Sequence, residues 1–208
     1  QNMNAKKLSF LLLILVAVAC TNRSTSSEQD EMRHWNNVLQ QINALLLENK
    51  AQQTLDLAKQ TLPEILESAE KNGTTDTLIY YARKIFNACG NNYINTKQYK
   101  DGIDYMDSIG NHPLIREHCP HELLSFKAGL NQLYGNNPEA VRLAEDYLQL
   151  PVCTSANDFI RQAEIISGVY MYSGNNLPKA IQILEKAIDV YRKGGNFPNM
   201  LRIMSRLG

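Results

Sequence analysis

The feature that most constrains this chain is the stretch "PKAIQILEKAIDVYRKGGN" from Pro178. Ala180, Ile181, Leu184, Ala187, Ile188 and Tyr191 recur at i, i+1, i+4, i+7, i+8 and i+11, the spacing of one helix face. Asn175 or Asn176 can cap its start, Pro178 suits the first turn, and Gly194-Gly195 ends it. Upstream, "IRQAEIISGVYMYSG" carries a second helical pattern closed by Gly174. So short a turn makes the two an antiparallel hairpin. Seven prolines and eleven glycines punctuate the chain at intervals that leave helix-length stretches between them. No alternating β-branched run is long enough for a strand, so the fold class is all-α.

A Gly-Asn-Asn triplet occurs three times, beginning at Gly90, Gly135 and Gly174. The copies at 135 and 174 read as equivalent turns between paired helices, where Gly and Asn tolerate a left-handed backbone. The copy at 90 falls inside a helix, with the turn of that unit nearer "NTKQ". Small residues pair twelve positions apart: Gly90 with Gly102, Ala128 with Ala140, Gly168 with Ala180. Phe86, Gly90, Tyr93 and Tyr99, and later Leu177, Leu184 and Ala187, complete a pattern that resembles the tetratricopeptide repeat (TPR). The resemblance covers 31–208. It implies a right-handed α-solenoid of about four helical hairpins plus a truncated last helix, in units spaced 38 and 40 residues. The first unit, "HWNNVLQQINALLLENK" with "AQQTLDLAKQTLPEILESAEKNG", is the most degenerate; Pro63 is expected to kink or divide its second helix, and Asn72-Gly73 to stop it. A final helix from about Pro198 reaches Gly208 without its partner, which reads as an array that continues into a longer protein.

The N-terminal segment carries a different signal. Met3 reads as the start, followed by Lys6, Lys7 and an apolar run from Leu8 to Val18, too short to cross a bilayer but suited to secretion. "AVAC" then resembles a bacterial lipoprotein box, with Ala17 where that box prefers Leu, Val or Ile. The resemblance implies a signal peptide over 3–19, a lipidated Cys20, and a flexible tether through residue 30. An ordinary signal peptide with Cys20 incidental is the competing reading. No acidic cluster follows Cys20, which by resemblance to Bacteroidetes lipoproteins places the protein in the cell envelope, facing the periplasm.

Equal numbers of basic and acidic residues, 21 each, argue against a general nucleic-acid binder. No phosphate-binding loop, nucleophile elbow, metalloprotease helix or dinucleotide fingerprint is present, so no catalytic residue or cofactor is expected in this segment. The densest cluster of metal-type ligands is "HPLIREHCPHE", with His112, His118, Cys119 and His121, but two prolines and the lack of paired C-x-x-C spacing make it a solvated loop before a metal site. Cys119 and Cys153 are alternatively a disulfide pair. Cys89 is expected in the core, and Trp35, Tyr80, Tyr81, Tyr170 and Tyr172 in packing.

TPR arrays bind partners on the concave surface lined by the first helix of each unit. Carried onto this register, the resemblance implies a groove lined by Lys84, Asn87, Asn91 and Ile94, then Glu122, Ser125 and Gln132, then Gln162, Ile165, Val169 and Tyr172. Their amides would hydrogen-bond an extended protein or peptide partner. The basic clamp that some TPR proteins close on a chaperone tail is not expected, because Gln162 and Ile165 stand where it needs Lys and Arg. The expected role is the input module of a signalling protein with a histidine kinase or helix-turn-helix output. The alternative is a stand-alone lipoprotein scaffold of an outer-membrane assembly or uptake complex.

Overall fold

A computed structural model describes residues 29–151 and 156–193, which form nine helices and no strand. The helices are α1 over 29–47, α2 Ala51–Asn72, α3 Asp76–Asn95, α4 Tyr99–Ile109, α5 Pro113–His118, α6 Pro120–Tyr134, α7 Asn137–Gln149, α8 Ala156–Tyr172 and α9 Leu177–Lys193. The protein is all-α, as the spacing of apolar residues requires. The expected leader, Cys20, most of the tether, Cys153 and the final helix from Pro198 lie outside the described residues. Gln29 and Asp30, assigned to the tether, already belong to α1.

Each helix follows from its stripe. In α2, Leu55, Ala58, Leu62, Ile65, Leu66 and Ala69 are buried along one side, at spacings of three, four and one. Pro63 does not divide this helix: it lies on the exposed side of an uninterrupted α2. α3 is started by Thr75, whose hydroxyl accepts the Leu78 amide at 3.2 Å. As expected, α3 runs straight through the first Gly-Asn-Asn triplet, and the chain turns instead at Lys97, φ +59°.

The other two triplets close hairpins by different residues. Between α6 and α7 the left-handed position is Gly135, φ +95°, and the Asn136 amide returns to the Asn131 carbonyl at 2.8 Å. Between α8 and α9 it is Asn175, φ +43°, while the Asn176 side chain accepts the Lys179 amide at 3.1 Å and so caps α9.

The segment read as a solvated loop is instead α5, six residues begun by Pro113, with Leu114 and Ile115 buried and Cys119 fully buried where α5 meets α6. Its prolines initiate helices rather than prevent them, because the first turn has no use for the missing N–H.

Helix α6 is the hub, packed against α3, α4, α5, α7 and α8. Phe126 and Leu130 enter one apolar cluster, which extends back to Trp35, Val38 and Ile42. Ala128 enters a second, shared with Leu143, Tyr147, Ile166, Tyr170 and Leu184. Two contacts set how α3, α6 and α8 stack. A Cβ on Gly90 would stand 2.4 Å from the Phe126 ring, and one on Gly129 would stand 2.6 Å from Ile165 Cγ2. The two glycines are 39 residues apart, and so are the two side chains that cover them. Packing therefore keeps a period of 39, where the choice of Ala128 as the partner of Gly90 gave 38 and then 40. Gly168, the third member of the series, has no described atom within 4 Å of its missing Cβ, so its smallness is not used against Ala180.

Candidate partner-binding face

Helix α3 presents Tyr80, Lys84, Asn87 and Asn91 at i, i+4, i+7 and i+11, a single row along its axis. Tyr80 is exposed and the other three are half-buried. The Lys84 ammonium lies 5.7 Å from the Tyr80 ring centroid, near enough for a cation–π contact. Asn91 donates its amide to the Asn87 carbonyl at 2.9 Å, which ties its side chain along the helix. Ile94, next in the row, is half-buried against the first apolar cluster.

The continuation of the expected groove onto α6 is largely buried. Glu122 is 2% exposed and Ser125 is fully buried, its hydroxyl donating to the Glu122 carbonyl at 3.0 Å. Only Gln132, near the end of the helix, is half-exposed. On α8, Gln162 is buried and accepts the Tyr147 hydroxyl at 3.2 Å, Val169 is fully buried, and Ile165 fills the notch at Gly129. Tyr172, by contrast, is 73% exposed. The residues that the structure leaves accessible are thus Lys84, Asn87, Asn91, Gln132 and Tyr172, while Glu122, Ser125 and Gln162 face other helices. The reason is the packing: α6 is covered by α3, α4, α5, α7 and α8, and α8 by α6, α7 and α9, so the expected face is enclosed on both helices.

Glu122 has a structural partner that the sequence reading missed. The Arg83 guanidinium lies 3.2 Å from the Glu122 carboxylate and also donates to the His118 carbonyl, joining α3 to the α5–α6 junction. Arg83 and Glu122 are themselves 39 residues apart, and that spacing is the one sequence signal that pairs them. Exposed Leu133 and Tyr134 at the end of α6 were also missed; they extend the accessible surface beside Gln132.

The chemistry-bearing residues of the His/Cys segment do not converge. His112 Nδ1 accepts the Leu114 amide at 3.2 Å and its Nε2–H donates to Glu70 at 3.1 Å, whereas His121 Nε2–H donates to the Pro151 carbonyl at 2.7 Å. Among the described residues no group of three or more His, Cys, Asp or Glu side chains is placed to hold a metal ion. Cys89 is fully buried, as expected; burial pushes its thiol up to about 12, which outweighs the opposing bond to the Tyr105 hydroxyl at 3.8 Å. It is not a thiolate nucleophile near neutral pH. Trp35, Tyr81 and Tyr170 pack in the interior, while Tyr80 and Tyr172 do not.

No helix among the described residues is long and apolar enough to cross a membrane. Compared with family models, curated proteins and solved structures, the chain matches none.

Proposed function

We propose that this chain is a lipid-anchored, periplasm-facing TPR-like module whose right-handed stack of hairpins holds a protein or peptide partner on the face formed by α3 and the ends of α6 and α8. The observation that carries the reading is the row Tyr80, Lys84, Asn87 and Asn91 on α3, together with Gln132 and the exposed Tyr172. Amide side chains supply donors and acceptors for an extended backbone, and exposed tyrosines supply rigid amphipathic contact area. Neither the Asn87 nor the Gln132 side chain has a hydrogen-bond partner among the described residues. The "AVAC" segment supports the anchor at Cys20, and the resemblance to Bacteroidetes sensor proteins supports an input role ahead of a signalling output domain.

The face is tested by placing a photo-crosslinking residue at Tyr172, at Asn87 and, as a control on the outside of α9, at Glu185. Adducts at the first two positions and none at Glu185 are expected in cells making the protein. Equal labelling at all three, or labelling at Glu185 alone, contradicts the assignment. For the anchor, Cys20→Ala is expected to shift the protein from the membrane fraction to the soluble one; retention in the membrane contradicts lipidation at Cys20.

A further inference from the structure

A cavity lies among α7, α8, α9 and the start of α6, with a volume of about 320 Å³. That is within the range of small-ligand sites. Its walls are apolar: Tyr147, Ala163 and Ile183 are buried there, and Leu150 and Val190 complete them. Most polar groups at the site are already committed. His121 Nε2–H is held by the Pro151 carbonyl at 2.7 Å, with its ring edge-on to Tyr147. The Tyr147 hydroxyl donates to Gln162, and Asp189 receives Arg192 at 2.9 Å.

Two cationic groups remain. Lys186 and Lys193 lie seven residues apart on α9 with Val190 between them on the same side. Both are exposed, and neither has an ion-pair partner among the described residues. Their methylene stems add apolar surface to the rim while the ammonium groups stay at its mouth. The cavity is thus an apolar chamber with two ammonium groups at its mouth, while the nearby Asp189 carboxylate is paired with Arg192 through one oxygen.

We propose that this cavity binds a small amphiphile with a linear apolar body and an anionic head, the class of a medium-chain carboxylate. The body occupies the chamber beside Ile183 and Val190, and the head pairs with Lys186 or Lys193. An uncharged head of similar size gains no such pairing, so charge discriminates among ligands of equal chain length.

Calorimetric titration of the full chain with decanoate, below its micelle concentration, and with decanol tests this. Decanoate is expected to bind saturably and more tightly than decanol. Lys186→Gln with Lys193→Gln is expected to weaken decanoate about threefold, the size of one ion pair at an exposed site, and to leave decanol unchanged. Val190→Trp, which fills the chamber, is expected to abolish binding of both with the helical melting curve retained; Leu148→Trp serves the same purpose if that variant does not fold. Absence of saturable decanoate binding, equal affinity for the two probes, or undiminished binding in the filled variant overturns the proposal. So does adsorption to anionic phospholipid vesicles that decanoate fails to compete.

Discussion

The two halves of the stack solve the same packing problem with different side chains. From α6 to α9 the helices form two hairpins of comparable length, and Ala128, Ala140, Ala144, Ala163, Ala180 and Ala187 are all fully buried. Small residues let paired helices approach closely, so little else is needed between them. From α2 to α6 the returning helix α4 has only 11 residues, and α5 is inserted after it. There Phe86, Tyr93 and Phe126 fill the interior, with Phe86 and Phe126 edge to face at 6.2 Å, and the Arg83–Glu122 pair spans the remaining polar gap. A constant offset of 39 residues is thus kept by an aromatic ring over Gly90 on one side and by Ile165 over Gly129 on the other.

The largest effect that separates the halves is expected at the two side chains covering the glycine notches. Phe126→Ala removes a buried ring and should cost about 3–5 kcal/mol, whereas Ile165→Ala, at a half-buried site, should cost about 2 kcal/mol. Urea unfolding of both variants checks the difference; equal losses would erase the contrast between the halves.

Next comes the polar clamp. Arg83→Met leaves the Glu122 carboxylate buried without its cation and should cost about 2–3 kcal/mol, less than a fully buried pair because Arg83 is one-third exposed. The double variant Arg83→Met with Glu122→Met should recover most of that loss. If the double variant is as unstable as the single one, the pair is not what joins α3 to α6.

The smallest effect concerns the alanine-rich half, where Lys179 on α9 bonds the Glu145 carboxylate on α7 at 2.6 and 2.8 Å. Lys179 first and Tyr170 second hold the Glu145 carboxyl below its ordinary value of 4.5, against a smaller effect of burial. A carboxyl with a lowered folded-state pKa contributes its stability above the ordinary value and loses it as the pH falls through the folded one. Lys179→Met should therefore cost about 0.5 kcal/mol at neutral pH, and the difference from the parent should shrink as the pH falls below 4.5. Thermal melts across that window would show it; a pH-independent difference would assign the loss to packing.

Much of the fold was legible because stripes and breaks agreed. The α8 and α9 patterns, the stop at Gly73 and the Asn176 cap all stand where the spacing placed them. The face was less legible because helix-to-helix packing decides it. Moving the α6 register from Ala128 to Gly129 puts Phe126 in place of Ser125, and Phe126 is buried too; Gln162 and Val169 are buried although Gly168 keeps the period of 39. Nothing local in the sequence says how many helices cover α6 and α8. α5 was missed for a related reason: its prolines were read as breakers, although each stands at a first turn.

The most direct test of the stacking account is the stability of three single substitutions, Gly90→Ala, Gly129→Ala and Gly168→Ala. An added methyl at Gly90 meets a buried ring that cannot give way, at Gly129 it meets the Cγ2 methyl of a half-buried isoleucine, and at Gly168 it meets no described atom. Helix propensity favours alanine at all three by about 1 kcal/mol. A net loss of about 2 kcal/mol is expected at Gly90, a loss of about 1 kcal/mol at Gly129, and a gain of about 0.5 kcal/mol at Gly168. Equal effects at the three sites, or the largest loss at Gly168, would contradict the stacking account.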